Sequence, residues 1–398
     1  MKYFWSRFKF LKWKDIGSIF LLILAFIPAM IAKIFIRDFW LICEDEFEAR
    51  DNGYWLFKYI RENHAKQKVA YAINKKSVDY NKVKDLGKII KYGSISHWFW
   101  YLVADKNISS QKSGKPNAAV CYFFEVCLGL RKKNRYFLQH GVIINDLQFL
   151  YYKNSKVHRF FTSTQQEYDF IVEKFGYSSK NVKLTGLTRF DNLNNNNLDS
   201  KKILVMPTWR NWISKEVECE KYEGTKIFEE TEYFKTWNKF LNNSQIAKFL
   251  EENELQLIFY PHRNMQKYIS SFSTSTERIT IANSSNYDVQ ALIKESALMI
   301  TDYSSVFFDF AYLGKPIIFY QFDEDKFRRG QYKEGYFNYH TTELGNWAKN
   351  IEEVLSFLNN NLNKLGKSNQ EIAKKYFKYV DNFNCKRVFE EIKNGNKK

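Results

Sequence analysis

Short apolar runs alternate with stretches of helical periodicity along the first half of the chain. Each run is bounded by polar turn residues and is too short for a helix, so it predicts a buried strand. The predicted strands are residues 39–43, 69–73, 88–92, 107–110 and 136–139. A helix is predicted over residues 54–62, after a polar loop that contains Asn52 and Gly53. This alternation of strand and helix indicates a doubly wound parallel sheet.

A second series of apolar runs predicts strands at residues 201–207, 255–261, 279–283, 297–301 and 316–320. Its clearest unit places a helix at residues 288–296 before the fourth of these strands. The loop Asp302-Tyr303 and a helix over residues 304–313 come after that strand. Gly314 followed by Pro316 is a typical helix stop. The second half therefore predicts another strand and helix sheet.

Residues 191–202 (DNLNNNNLDSKK) lose all periodicity, as an exposed connector does. We therefore predict an α/β chain with two Rossmann-like doubly wound domains that face an interdomain cleft. The predicted segments are a membrane-associating helical segment at 1–37, an N-terminal Rossmann-like domain at 38–195, a C-terminal Rossmann-like domain at 196–346, and C-terminal helices with a polar tail at 347–398. The C-terminal helices are expected to pack against the second domain.

The N-terminal segment predicts contact with a membrane. Residues 1–14 (MKYFWSRFKFLKWK) alternate basic and aromatic residues, and an apolar stretch at 16–32 is closed by Lys33 and Arg37. Such a flank suits anionic lipid headgroups. The stretch is short for a span and contains Pro28, which favours a monotopic hairpin or interfacial helix. A membrane span, a cleaved signal peptide and a buried helix of the first domain remain alternatives.

Composition narrows the class of protein. The 398 residues are 45% hydrophobic, which excludes a disordered chain. A formal net charge of +17 favours an anionic partner, such as a phosphate-rich substrate or lipid headgroups. Five cysteines without a CxxC pair indicate neither a disulfide framework nor a thiolate metal site, and a reducing cytoplasm fits them best.

Several catalytic signatures are absent from the sequence, namely GxxxxGK[ST], GxGxxG, HExxH and GxSxG. Polar residues instead follow the predicted strands, at the usual ligand edge of an open α/β sheet. Ser304 and Ser305 follow one strand and precede a helix, where hydroxyls and backbone N–H groups can hold a phosphate. The alternative is that one serine only caps the helix.

Two histidines stand at strand ends and are candidate catalytic groups. His140 precedes Gly141 and is suited to remove a proton from a hydroxyl near neutral pH. His262 is followed by Arg263, and together they could neutralise charge on a phosphoryl group. Solvated loop histidines are the alternative for both.

Further candidates could add hydrogen bonds and positive charge. Thr208 and Arg210 follow a strand and offer a hydroxyl and a guanidinium for phosphate, and Arg328 adds another guanidinium. A solvated basic turn is the alternative for Arg328. The acidic run at 323–325 is interpreted as a charged loop and not as a metal motif, because the chain shows no partner ligands for Mg²⁺.

These motifs, in this order, resemble the CDP-glycerol glycerophosphotransferase family, whose members build teichoic acids and related phosphate-containing capsules. The resemblance covers residues from about Trp40 to about Tyr339. It rests on EARDNGYWLFKYIREN at 48–63, QHG at 139–141, TGLTRFDNL at 185–193, PTWR at 207–210, YPHRNMQKY at 260–268 and LMITDYSSVFFDFAYLGKPIIFY at 298–320. The chain departs from the family at Val142, where Thr is frequent, and at Asn338, where Asp is common.

The resemblance implies a GT-B fold, in which the domain at 38–195 is the acceptor domain and the domain at 196–346 is the nucleotide-donor domain. It also implies that an acceptor hydroxyl attacks the β-phosphorus of a CDP-polyol, CDP-glycerol or CDP-ribitol, and releases CMP. It implies that His140 is the base and that His262 assists at the phosphoryl group. The implied donor-binding residues are Thr208, Arg210, Arg263, Asp302, Ser304, Ser305, Asp309 and Arg328, without a metal or cofactor. The expected acceptor is a lipid-linked teichoic acid or capsular polymer, at the cytoplasmic face of a bacterial membrane.

Two other functions remain open from the sequence. A GT-B glycosyltransferase that uses a nucleotide sugar could employ the same fold and helix-end site. A non-catalytic, membrane-bound adaptor could hold an anionic polymer on a basic surface. Nucleic-acid binding is disfavoured, because the basic residues are spread out and no recognised RNA or DNA module is present.

Overall fold

The structure is a computed structural model that describes residues 11–130, 134–193, 201–213 and 224–395. Two compact units divide the chain. Unit 1 comprises Met1–Val142, Leu147–Asn192 and Phe377–Lys398, and unit 2 comprises Ile143–Asp146 and Leu193–Tyr376. The chain therefore leaves unit 1 for residues 143–146, shortly after His140. It leaves unit 1 again at Leu193 and returns to it at Phe377.

The described strands are β1 (Trp40–Ile42), β2 (Val69–Ile73), β3 (Lys88–Lys91), β4 (Lys106–Ser109), β5 (Arg135–Phe137), β6 (Asn145–Asp146), β7 (Arg159–Thr162), β8 (Val182–Leu184), β9 (Lys202–Met206), β10 (Gln256–Phe259), β11 (Ile279–Ile281), β12 (Ser296–Thr301), β13 (Ile317–Tyr320), β14 (Lys333–Glu334) and β15 (Asn346–Ala348).

The described α-helices are α1 (Ile16–Phe35), α2 (Asn52–Asn63), α3 (Tyr80–Val83), α4 (Ile95–Val103), α5 (Ala118–Tyr122), α6 (Tyr152–Ser155), α7 (Gln165–Phe175), α8 (Gly224–Glu230), α9 (Glu232–Leu241), α10 (Ser244–Glu252), α11 (Val289–Glu295), α12 (Phe307–Tyr312), α13 (Glu324–Gly330), α14 (Ile351–Asn361), α15 (Gln370–Tyr376) and α16 (Asn384–Asn394). Short 3-10 segments include Thr188–Asn192 and Arg263–Ser271.

Each unit is built on one parallel sheet. The strand order is β3-β2-β1-β4-β5-β7-β8 in unit 1 and β11-β10-β9-β12-β13-β15 in unit 2. Both orders start from a central strand, run outward, and then restart on its other side, which is the doubly wound arrangement. Ligands bind such sheets beyond the carboxyl ends of the strands where the order reverses, here β1 with β4 and β9 with β12. The predicted α/β class with two Rossmann-like domains is confirmed.

The sheets bury continuous apolar strands, as sheets covered by helices on both faces do. Strands β2, β12 and β13 are buried along their whole length. In unit 2 the core around Trp237 and Phe259 gathers helices α9 and α10 onto one face of the sheet. Strands β7 and β8 were not among the predicted strands, because each is short and carries polar residues such as Arg159 and Lys183.

The predicted arrangement of the C-terminal segment is wrong in two places. Strand β15 pairs with β13, so it belongs to the second sheet and crosses the predicted boundary at 346. Residues from Phe377 onward belong to unit 1, because Val388, Phe389 and Ile392 of α16 pack into its core beside Trp40. Only the part of the segment up to Tyr376 belongs to unit 2, as expected.

Helix α1 is continuous through Pro28, so the alternative of a hairpin is wrong. Its length and composition would allow it to cross a membrane. Only Ala25 and Ala29 are buried, and the large apolar side chains such as Ile27 and Phe35 are more than half exposed. The other face of α1 packs along α4, through a cluster that includes Ile19, Leu21 and Leu22. Residues 1–10, with most of the predicted basic and aromatic flank, lie outside the described residues.

Candidate active site

The exposed imidazole of His140 is held by a buried carboxylate. His140 follows β5 and Gln139, and Asp51 is the N-cap residue of α2. Nδ1 of His140 lies 2.5 Å from Oδ2 of Asp51, while the side chain of His140 is 69% exposed and that of Asp51 only 6%. In neutral histidine this contact places the proton on Nδ1 and leaves Nε2 as the proton acceptor. The imidazole thus has the exposure and orientation of a general base.

A third charged residue completes this cluster in unit 1. Nη1 of Arg189 lies 2.8 Å from Oδ1 of Asp51 and donates to the backbone oxygen of His140 at 2.5 Å. The negative charge of Asp51 raises the pKa of His140, and the opposing charge of Arg189 only partly offsets this effect. Burial favours a higher pKa for Asp51, but the charges of His140 and Arg189 outweigh it and hold the pKa of Asp51 below its usual value.

Glu44 organises the loop that carries Asp51. It is fully buried, and its carboxyl oxygens accept backbone N–H bonds from Arg50, Asp51 and Tyr54 at 2.7–3.2 Å. Burial and the nearby charge of Asp51 raise the pKa of Glu44 to about 8. A Cβ at Gly53 would lie 2.9 Å from Cγ of Glu44, so only glycine fits there without displacement. The resulting loop holds Asp51 rigidly under the imidazole.

The residue before His140 has a rare backbone conformation. Gln139 has a φ of 67° and is completely buried. Its carbonyl accepts from Nδ2 of Asn52 at 2.8 Å, and its side chain donates to the carbonyl of Phe161. A left-handed backbone at a residue other than glycine persists only when its surroundings enforce it. These hydrogen bonds therefore fix the direction in which the chain leaves β5 and presents His140.

In unit 2, the predicted residues after β9 and β12 meet at the point where the strand order reverses. The backbone N–H of Thr208 donates to Oδ1 of Asp302 at 2.8 Å. Arg210 lies between two carboxylates, with Nη1 at 2.9 Å from Asp302 and Nε at 2.7 Å from Asp323. This cluster joins the ends of both strands to the start of α13.

The cluster corrects two predictions. Arg210 is 0% exposed and its charge is matched by two carboxylates, so it is a buried anchor and does not offer its guanidinium to a phosphate. The acidic run at 323–325 is not a charged loop, since α13 begins at Glu324 and the preceding Asp323 is buried and accepts two hydrogen bonds from Arg210. Burying a charged pair requires this kind of matched geometry. Both residues position the neighbouring loops.

The predicted helix start at Ser304 is wrong, because α12 begins at Phe307. The carbonyls of Ser304 and Ser305 accept from the N–H groups of Phe307 and Phe308, as in a tight turn that precedes a helix. Both serines are half-buried, and Oγ of Ser304 accepts from the backbone N–H of Val306 at 3.4 Å. Asp309 is buried inside α12, where Oδ1 accepts from Gln290 at 3.4 Å, and its role in donor binding stays a prediction.

Arg328 lies beside the same loop through Tyr303. The ring of Tyr303 stacks on Phe327 with 3.8 Å between the centroids. The guanidinium carbon of Arg328 lies 6.0 Å from the centroid of Tyr303 and 5.6 Å from that of Tyr339. Its Nη1 donates to Oδ1 of Asn145 at 3.0 Å. Arg328 is half-buried, and its guanidinium lies near Tyr303, the residue that precedes Ser304.

His262 differs from His140 in the ring nitrogen that it offers. Nδ1 of His262 accepts from the backbone N–H of Asn264 at 3.2 Å, so its proton is on Nε2 when the ring is neutral. The ring stacks against Trp209 at 6.2 Å between centroids. Nε2–H is then a hydrogen-bond donor, which suits a phosphoryl oxygen. Arg263 is exposed at the start of the following 3-10 segment.

The sequence analysis did not single out Asp51, Arg189 or Glu44 as site residues. Asp51 and Arg189 lie inside motifs quoted for the family resemblance, which was the only signal for them. Among the described residues, no group of three or more His, Cys, Asp or Glu side chains is arranged to hold a metal ion. Cys43, Cys121, Cys127 and Cys385 form no disulfide with one another, and Cys219 lies outside the described residues.

A family model described as CDP-Glycerol:Poly(glycerophosphate) glycerophosphotransferase matches residues 37–394. The chain belongs to this family. Its relatives include the minor teichoic acid biosynthesis protein GgaB of Bacillus subtilis (strain 168), which is 30% identical over 371 residues. That alignment covers 89% of this chain and 40% of GgaB, so the chain spans about two fifths of that relative.

Two further comparisons concern a polymerase relative and a solved structure. The teichoic acid poly(glycerol phosphate) polymerase of Bacillus spizizenii is 23% identical over 376 residues, which cover 85% of this chain and 87% of the polymerase. A solved structure of the wall teichoic acid polymerase TagF superposes with a TM-score of 0.63 and 17% identity, over 97% of this chain and 100% of that one. The likeness to TagF shows a shared fold.

Proposed function

We propose that this glycerophosphotransferase-family chain transfers a polyol phosphate, such as glycerol phosphate, from a CDP-linked donor to a hydroxyl group of a cell-surface polymer and releases CMP. The observation that carries the proposal is the exposed imidazole of His140 on the buried carboxylate of Asp51. Family membership and the similarity to teichoic acid biosynthesis proteins support the same reaction. Teichoic acid is accordingly the proposed polymer class.

His140 acts as the general base in this proposal. The acceptor hydroxyl loses its proton to Nε2 while its oxygen forms a bond to the β-phosphorus of the donor. The bond between that phosphorus and the bridging oxygen breaks, and CMP leaves with the electron pair. Asp51 keeps the other ring proton on Nδ1 and stabilises the imidazolium that forms. A raised pKa makes His140 a stronger base, although a smaller fraction of it is neutral at pH 7.

The donor phosphates are proposed to bind in unit 2. Ser304 and Ser305 offer hydroxyls, and the guanidinium of Arg328 lies near the preceding Tyr303. His262 supplies Nε2–H as a donor to a phosphoryl oxygen. Phosphoryl transfer depends chiefly on positioning and charge stabilisation, and these groups supply both without an elaborate nucleophile. Arg210 and Asp302 act indirectly, by joining the loops that carry these groups.

The proposed location is the cytoplasmic face of the membrane, with α1 lying in the lipid interface. The large apolar side chains on its open face, such as Phe20, Ile27 and Ile34, are more than half exposed. Exposed apolar area of this extent favours a lipid partner. Because α1 packs against α4 through Ile19, Leu21 and Leu22, an interfacial position is favoured over a span. The proposed acceptor is therefore linked to lipid.

A donor screen tests the proposal. The purified protein is incubated with a lipid-linked acceptor and with CDP-glycerol, CDP-ribitol or UDP-sugars, and the products are identified by mass. Release of CMP together with an acceptor that gains one or more polyol phosphates is expected. Release of UDP with a sugar added to the acceptor would establish the glycosyltransferase alternative. Binding of the polymer without release of a nucleotide would favour the adaptor alternative.

A further inference from the structure

The C-terminal helix α16 contacts the loop that carries Arg189 at several points. We define this loop as residues 185–191, which follow β8. The carboxylate of Asp191 accepts from the backbone N–H groups of Asn384 at 2.9 Å and Cys385 at 2.8 Å, and from Nδ2 of Asn384 at 2.8 Å. Asp191 therefore satisfies donors at the start of α16 that would otherwise lack a helix partner.

The other end of the 185–191 loop is held by the same helix. Nε of Arg387 donates to the carbonyl of Thr185 at 2.8 Å. Gly186 has a φ of 84°, and a Cβ there would lie 1.8 Å from Oδ1 of Asn384, so the approach requires glycine. Sγ of Cys385 donates to the carbonyl of Thr188 at 3.3 Å, in the middle of the loop. Helix α16 thus forms hydrogen bonds with the loop at its start, middle and end.

The opposite side of the 185–191 loop faces the catalytic cluster. Thr188 Oγ1 donates to the carbonyl of Asn52 at 2.6 Å, and the N–H of Arg189 donates to Oδ1 of Asn52 at 3.0 Å. The guanidinium of Arg189 reaches both Asp51 and the carbonyl of His140. The loop is therefore packed between α16 on one side and the residues that hold the base on the other.

We infer that α16 is a positioning element for the catalytic histidine. The hydrogen bonds of Asp191 with Asn384 and Cys385, which we call the clasp, fix Arg189 against Asp51 and His140. Asp191, Asn384 and Arg387 are positioning residues, since they act through Arg189 and touch neither base nor substrate. The helix is held independently by Val388, Phe389 and Ile392, which pack in the core of unit 1. Loss of the clasp should therefore loosen the loop without detaching the helix.

The inference deepens the proposed function but is tested by a measurement that does not require activity. The groups that set the pKa of His140 are Asp51, Arg189 and Glu48. The charge of Arg189 lowers this pKa, whereas Asp51 raises it and stays in place through the N–H groups bound by Glu44. Displacement of Arg189 should therefore raise the pKa of His140 further.

The experiment is an NMR titration of the imidazole of His140, assigned by its loss in His140→Ala, in the wild type, Asp191→Ala and Glu391→Gln. Glu391→Gln is the matched control, because it removes the ion pair of α16 with Lys183 at 3.2 Å and leaves the 185–191 loop untouched. In Asp191→Ala the pKa of His140 should rise by about half a unit or more. Turnover per folded molecule should fall, because the loosened loop no longer fixes the orientation of the imidazole, with the donor KM nearly unchanged. Glu391→Gln should match the wild type.

An unchanged pKa of His140 in folded Asp191→Ala would overturn the inference. If Asp191→Ala does not fold, Asp191→Asn and Arg387→Lys weaken the same contacts more gently and are titrated instead, with the same criterion. Asp191→Glu should restore part of the wild-type behaviour. A shifted pKa in a protein that transfers no polyol phosphate from any donor would leave the clasp standing and would reject the proposed function.

Discussion

Asp51 and His140 lie 89 positions apart in the chain and 2.5 Å apart in the structure. The carboxylate belongs to the start of α2 and the imidazole to the loop after β5, and parallel strands bring both to the same edge of the sheet in unit 1. A buried acid under an exposed imidazole fixes the tautomer that a general base needs. The following predictions begin from this pair.

Replacing His140 with Ala should lower turnover by about 10²-fold or more, the usual scale for loss of a general base. His340→Ala is the control, because His340 is an exposed histidine that pairs with Glu324. Steady-state rates of CMP release measure both. Equal turnover of His140→Ala and the wild type would remove His140 from the mechanism.

Asp51→Asn should move the pH profile to lower pH. The neutral form of His140 is the base, so kcat/KM of the wild type should rise with pH and level off above a pKa that Asp51 holds above its ordinary value. Without the carboxylate, the charge of Arg189 lowers that pKa, and the rising part of the profile shifts toward acid. The plateau should also fall, by about tenfold, because the base is weaker. If kcat/KM of Asp51→Asn rises over the same pH range as that of the wild type, the contact between Asp51 and His140 does not set the pH profile.

Changing Ser304 and Ser305 together to Ala should raise the KM of the donor several-fold with a smaller change in kcat, because both hydroxyls are proposed to contact the donor phosphates. The control is the double change of Ser284 and Ser285 to Ala, another adjacent serine pair in unit 2. Initial rates at varied donor concentration give both constants. An unaltered KM would count against the assignment of the two serines.

Arg210→Ala should lower the free energy of unfolding by about 3–5 kcal/mol, because it leaves Asp302 and Asp323 as unmatched buried charges. Denaturant unfolding followed by fluorescence measures the change. Arg278→Ala, which removes an exposed ion pair with Glu251, is the control and should have little effect. A variant of normal stability with only a raised donor KM would instead support the original prediction that Arg210 binds phosphate.

Replacing Ile23, Ile27 and Ile34 with Asn should abolish most binding to anionic vesicles, because each side chain is more than 60% exposed on the open face of α1. Flotation with phosphatidylglycerol vesicles should show at least a tenfold loss of bound protein. Val78→Asn, at an exposed apolar residue elsewhere, is the control. Unchanged flotation would reject α1 as the membrane contact.

The local pattern of the sequence determined most of the strands and the ligand edge of each sheet. Residues 69–73 were predicted as a strand with the bounds that β2 has, because a short apolar run between polar turns has one stable local form. His140, His262 and Ser304 were recognised because they follow such runs directly. The predicted start of α12 was three residues too early. The carbonyls from Ser304 to Val306 accept from the third residue along the chain, and this turn does not change the hydrophobic periodicity.

Only the tertiary structure decided which charges are exposed and which are matched. Arg210 looks in sequence like a phosphate ligand, but carboxylates 92 and 113 positions away surround it, as the numbering of Asp302 and Asp323 shows. Asp51 and Arg189 acquire their roles from His140, and α16 acquires its role from a loop nearly two hundred residues earlier. Hydrophobic periodicity is a property of neighbours along the chain, whereas burial and charge pairing depend on long-range contacts that only the folded sheet brings about.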